Sequence, residues 1–399
     1  VSTTLYQPLK ILQVHTHYRE SGGEDRVVNE EYDLLSKYHQ VSQFIRFNNH
    51  LELMDRPKQF KVTLWNSEIY RDFLTTIRHE RPDLIHVHNT FPLMSPGIYH
   101  AASSLRIPVV HTLHNYRLVC IGSELYRDGK ICEDCLGKLP FSGMIHRCYR
   151  NSYAASSAVG SMLMLHGVLG TWQQKIDSYI CLSDTSKNIF VRAGLDAKRI
   201  YVKPNFVSGP TSLVPKEQPY ALFVGRLIKA KGINTLLEAW TMGDLKLPLN
   251  IIGSGPLEDY VRHVSQTSSN IQYLGPQLPS TVLELMQQAF VLVFPSVWLE
   301  PFGLTIIEAF ACGLPVVASN LGAASELVTH GQTGLHFTPG SSDDLISKIN
   351  WLAQNPALAA NMGRKAHNEY LEKYTPDANY AQLMKIYAHT LERAKYQLS

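Results

Sequence analysis

Several common signals are missing from this 399-residue chain. No long apolar run is present. The longest stretch without Asp, Glu, Lys or Arg, residues 151–174, carries several Ser and Gly residues and His166, and is too polar for a membrane span. The first ten residues lack a basic start followed by an apolar segment, so a secretory leader is not expected. The net charge of +3 is too small to argue for a nucleic-acid partner. Six cysteines do not argue for an oxidising compartment. A dinucleotide fingerprint is absent. Gly253-Ser254-Gly255-Pro256 supplies half of one, but Glu258 stands where the third glycine belongs, which excludes the NAD reading. No D-x-D pair, internal repeat or low-complexity tract occurs. These absences leave a globular α/β enzyme, expected in the cytoplasm, with 45% apolar and 18% charged residues. The length predicts two domains, each able to bury its own core.

The first half reads as alternating strands and amphipathic helices, the pattern of a doubly wound parallel sheet. Strands are expected at 10–14, 41–47, 84–87, 108–111 and 178–182. Gly22 and Gly23 follow the first strand and Glu24 and Asp25 begin a helix, so backbone could approach a ligand where that strand ends. Histidines gather at strand ends: His15 and His17, His86 and His88, His111 and His114. Ligands bind beyond the carboxyl ends of parallel strands, so these side chains are expected to line one cleft, with His86 and His111 as hydrogen-bonded core residues.

An insertion at about 118–150 interrupts the pattern and holds Cys120, Cys132, Cys135 and Cys148 in the spacing C-x11-C-x2-C-x12-C. Four thiolates can close a structural zinc site and leave no open position for substrate. Thiols packed as small hydrophobes, or one disulfide, are the alternative. Residues 153–172 read as a buried helix, or else as an apolar surface meeting a lipid-linked acceptor or a membrane face. Pro204, Pro210, Pro215 and Pro219 mark the linker between domains expected at 1–205 and 206–375, with a closing helix at 376–399.

The second half carries the most informative stretch. A strand at 290–294 reaches Pro295, and a turn bearing Glu300 leads into a helix bearing Glu308. The amides of Phe302, Gly303, Leu304 and Thr305 open that helix, and such a terminus favours an anion. Upstream, Arg226 and Lys231 flank a turn entering another helix. Cations there oppose the dipole, which a bound diphosphate would explain. The Gly255 turn and the backbone near Leu278 complete a candidate nucleotide pocket, the latter facing a base edge.

Together, the E-x7-E spacing within EPFGLTIIEAFACGLPVVAS, the GRLIKAKG turn and the GGED loop resemble retaining glycosyltransferase family 4, over nearly the whole chain. The resemblance implies a GT-B fold: two Rossmann-like domains facing a cleft, the second holding a nucleotide-diphosphate sugar and the first an acceptor. By the same resemblance Arg226 and Lys231 neutralise the diphosphate, Glu300 and the backbone of Phe302 to Leu304 hold the sugar, and Glu308 holds the ribose. Gly22 and Gly23 approach the donor phosphate, Glu24 faces the acceptor, and His114 lies near the transferred sugar. The family's usual aspartate after that histidine is Asn115 here. It further implies metal-free transfer with retention, a glycan or lipid-linked acceptor, and a protein that is cytoplasmic or peripheral at the inner membrane face. A sugar-nucleotide epimerase, a phosphorylase with a lysine-bound pyridoxal group, and a silent nucleotide-binding scaffold are the competing readings.

Overall fold

A computed structural model describes residues 8–17, 22–210, 212–213 and 219–396. The chain divides into two compact units. The first takes the N-terminal part up to Leu125, Glu133–Lys203 and the chain from Asn379 onward; the second takes Tyr126–Cys132 and Pro204–Ala378.

Six parallel strands build the first unit's sheet: β1 (Lys10–His17), β2 (Gln40–Phe47), β3 (Leu84–Val87), β4 (Val109–Leu113), β7 (Ser178–Cys181) and β8 (Ile200–Val202). Their order is β2-β1-β3-β4-β7-β8. Strands β3, β4 and β7 are buried throughout, as expected when helices cover both faces of a parallel sheet. Between β4 and β7 the insertion forms a small antiparallel hairpin, β5 (Tyr126–Arg127) and β6 (Lys130–Ile131). Asp128 and Gly129 turn it with positive φ at both positions, the backbone of a two-residue type I′ turn. The C-terminal helix Pro376–Tyr396 adds Leu383, Met384, Ile386 and Tyr387 to the core around Ile11, Leu84, Val110 and Ile180.

The second unit repeats the architecture with β9 (Ala221–Val224), β10 (Leu249–Ile252), β11 (Ile271–Gly275), β12 (Val291–Phe294), β13 (Val316–Ser319) and β14 (Gly334–Phe337). Their order is β11-β10-β9-β12-β13-β14, all parallel.

Each sheet reverses its direction of travel once. In the first unit the chain moves from β1 outward to β2, then returns to place β3 on the other side of β1. In the second it moves from β9 to β10 and β11, then places β12 on the other side of β9. The loops leaving the two strands at such a point diverge to opposite faces and open a crevice beyond their carboxyl ends. The β1/β3 and β9/β12 pairs are therefore where a ligand site belongs in each unit.

Candidate functional site

In the second unit the turns after β9 and β12 meet beyond the switch point. Gly232 holds φ +73°, and a Cβ there would overlap the carbonyl oxygen of Pro295. Only glycine permits this approach, and it sets the basic turn against the end of β12. Val297 N–H then donates to Ala230 O at 2.9 Å. Thus the Lys231 ammonium comes 2.7 Å from each carboxylate oxygen of Glu300. Ser296 Oγ donates to the same carboxylate, which is 5% exposed. Lys231 also lies over the rings of Phe294 and Trp298, at 5.6 and 5.9 Å.

The Lys231 ammonium is thus paired with Glu300 within the protein. Arg226, by contrast, is exposed. The helix Leu304–Ala311 begins directly after, with Gly303 as its cap residue. The amides of Leu304 and Thr305 precede the first amide that donates within the helix, to Gly303 O, and have no partner within it. Glu308 is buried inside it. Gly255 lies in the turn after β10, against the backbone of Leu227, and Leu278 is exposed at the start of the helix Pro279–Gln288.

In the first unit the carboxyl ends of β1, β3 and β4 bring histidines together. His114 Nε2 lies 3.0 Å from His88 Nδ1, and the two rings stack. His88 Nε2 in turn lies 3.2 Å from Glu31 Oε1. Gln13 Nε2 faces the same His88 nitrogen at 3.4 Å. Burial, with neighbouring histidines, holds His114 neutral by carrying its pKa well below the ordinary value; His88 falls to about 3 for the same reasons.

Glu31 anchors this arrangement and was not legible from sequence. It is fully buried 3.0 Å from His86 Nδ1 and 3.4 Å from the ammonium of Lys203, which donates to Asn379 Oδ1 at 3.1 Å. Burial would raise its pKa. The charges of His86 and Lys203 and the hydrogen bonds from His86 and His88 outweigh that and carry it well below the usual range. His86 also bonds Thr112 and Tyr387, and His111 bonds Tyr99, so both are hydrogen-bonded core residues as expected.

Nearer the surface, Asp25 accepts from His15 Nε2 at 2.7 Å and from Gly22 N–H at 3.1 Å, and lies 3.0 Å from His17 Nδ1. This carboxylate caps the helix Gly23–Leu35 and fixes Gly22 at its entrance. Glu24 follows, its carboxylate 4.0 Å from His15 Nδ1. Residues 18–21 lie outside the described residues.

Two groups among the described residues bring three metal-ligating side chains within 4.8 Å: His15, His17 and Asp25, and Glu31, His86 and His88. Neither contains a cysteine. Cys120, Cys132, Cys135 and Cys148 are all thiols, and Cys132 belongs to the second unit while the other three belong to the first. The carboxylate groups arise from helix residues paired with strand-end histidines, a match that local ligand spacing cannot reveal. No helix among the described residues is long and apolar enough to cross a membrane.

Two Rossmann-like units, each with a polar cluster at its switch point, define the GT-B architecture. Comparison with known proteins agrees. Residues 22–208 match the model of Glycosyltransferase Family 4 and residues 210–369 that of Glycosyl transferases group 1. A D-rhamnosyltransferase of Pseudomonas aeruginosa is 32% identical over 39% of this chain and 42% of its own length, so the match spans less than half of that relative. An uncharacterized glycosyltransferase of Methanocaldococcus jannaschii is 27% identical over 83% of this chain and 82% of its own. The Anabaena HepE protein, solved in complex with UDP, shares the fold with a TM-score of 0.66 at 19% identity, over 96% of this chain and 100% of that one. The chain belongs to the family 4, group 1 glycosyltransferases.

Proposed function

We propose that this protein transfers a hexose-type sugar from a nucleotide-diphosphate donor to a hydroxyl of a glycan or lipid-linked acceptor, in surface polysaccharide or glycolipid synthesis. The observation that carries this reading is the Lys231–Glu300 pair beside the start of the helix Leu304–Ala311, at the β9/β12 switch point. Arg226, Lys231 and the amides from Phe302 to Thr305 hold the diphosphate, and Glu300 holds the sugar hydroxyls. Glu308 takes the ribose, with the Gly255 turn and the Leu278 backbone beside the base. Charge grows on the diphosphate as the glycosidic bond breaks, and fixed cations and helix amides stabilise it without reorganising. The ion pair with Glu300 positions the Lys231 ammonium in advance.

On the acceptor side, His114 lies near the transferred sugar, its ring orientation set through His88 and Glu31. Glu24 faces the acceptor, and Gly22 and Gly23 approach the donor phosphate. The acceptor hydroxyl attacks from the face the leaving group vacates, which retains the anomeric configuration. The Anabaena protein's complex with UDP supports a nucleotide-diphosphate donor. A thermal-shift series with UDP, GDP, ADP and their sugars tests the reading, followed by NMR of the product's anomeric proton. Stabilisation by one nucleoside diphosphate and a retained anomer support it. Donor consumed without any acceptor points to an epimerase, and no stabilisation by any nucleotide overturns the donor site.

A further inference from the structure

The short helix Phe141–Ile145 of the insertion has two unlike faces. Inward, a Cβ on Gly143 would meet Ile121 at 3.0 Å, and Met144 covers Gly160 of the helix Tyr153–Val168. Outward, Phe141 and Ile145 sit four positions apart on one face, 53% and 65% exposed. Leu139 and Val168, 61% and 88% exposed, line one cavity of about 340 Å³ beside them. Four large apolar side chains this open on packed neighbouring helices and the segment before them are unusual on a surface that nothing covers.

The charge around them is mainly positive. From Cys135 to Ile176 the chain contains no Asp or Glu. Lys138, Arg147 and Arg150 are all exposed in this stretch, and Arg147 lies 5.3 Å over the ring of exposed Tyr153. Of the two carboxylates just before it, Glu133 accepts from Arg192 at 3.0 Å and Asp134 from Ser142 Oγ at 3.2 Å. A second copy docked here about a two-fold axis would set these cations against their own counterparts. An anionic bilayer would instead receive the apolar side chains in its interfacial layer and the cations on its phosphates.

We propose that this face docks on an anionic membrane surface, with Leu139, Phe141, Ile145 and Val168 inserted and Lys138, Arg147 and Arg150 on lipid phosphates. This gives a location to the lipid-linked acceptor and the membrane contact, and rests on that part of the functional reading while standing apart from the donor site.

Flotation of the full chain with vesicles of phosphatidylcholine alone, or with phosphatidylglycerol added, tests it. Binding is expected only with the anionic lipid and is stripped by high salt. The doubles Phe141→Ser/Ile145→Ser and Arg147→Glu/Arg150→Glu each lower it about tenfold or more. Both should keep the nucleotide-induced thermal shift of the parent, so a failed flotation is distinguishable from a failed donor site. No flotation with any vesicle, equal flotation of parent and variants, or a solution dimer that the same variants break without any vesicle binding would each overturn the proposal.

Discussion

The Lys231 ammonium and the Glu300 carboxylate, 69 positions apart in sequence, share two contacts of 2.7 Å. Glu300 is nearly excluded from water while Lys231 keeps some exposure. Each therefore depends on the other, and the two substitutions should have different consequences. Lys231→Ala leaves a buried carboxylate with Ser296 as its remaining partner and should cost about 2–3 kcal/mol of stability. Glu300→Gln keeps the shape and removes the charge. It should unfold near the parent's urea midpoint yet lose transfer by about 10²-fold or more. Equal activity of both variants with the parent would remove the donor-site assignment.

Gly232 supplies a sharper structural test. Gly232→Ala must leave a left-handed backbone that favours glycine and relieve an overlap with Pro295. Strain at such a position costs on the order of 1–3 kcal/mol, and the turn should shift to accommodate it. Nucleotide-induced stabilisation should vanish even where the variant folds. A thermal-shift titration checks this, since a purely structural turn would lower the melting temperature and leave the nucleotide increment intact.

The buried charges of the first unit predict a double-mutant cycle. Glu31 and Lys203 are each at most 2% exposed. Glu31→Ala or Lys203→Ala alone strands a charge in the core and should cost about 3–5 kcal/mol. Combining the same two substitutions should cost clearly less than the sum. Additive losses by urea denaturation would show that the two do not act as a pair.

Acid should destabilise this protein in a defined window. Burial lowers His88 and His111 to about 3 and His166 to about 4. Below the unfolded value of about 6.5 the unfolded chain binds protons that the folded chain refuses, so stability falls as pH drops from there toward 3–4. Glu31 and Asp25, both depressed in the folded state, add a further loss as pH falls below the ordinary carboxylate range. Each such histidine contributes a slope of about 1.4 kcal/mol per pH unit within its window. Urea midpoints measured from neutral to acid pH check this, and His166→Asn should flatten the upper limb by about one proton.

Much of the second unit was legible because its strands are short apolar runs bounded by Gly and Pro. The strand read at 290–294 is β12, which begins one residue later. β8 and β14 were not read: each is three or four residues long, too short to show a period. The Asp128-Gly129 hairpin carried its turn signal but was passed over among the cysteines. In the candidate sites, sequence supplied residue types and could not supply partners. Glu31 looks like any polar position on an amphipathic helix until the fold seats it beneath His86 and His88. Lys231 read as an unsatisfied cation because the residue that satisfies it lies far along the chain. C-x2-C spacing likewise named a metal without showing whether the sulfurs converge.

The last helix gives the core of the first unit Leu383, Met384 and Tyr387, and Asn379 completes the shell around Lys203. During synthesis, then, the N-terminal sheet emerges from the ribosome long before the side chains that seal it. Until that helix is made, Ile11, Leu84 and Val110 have an open face, and the Glu31–Lys203 pair sits partly unshielded. The second unit, encoded between, has all its strands in hand before that helix is made. The portion made first should be the portion finished last, and it is the one that needs guarding by chaperones while the ribosome is still at work.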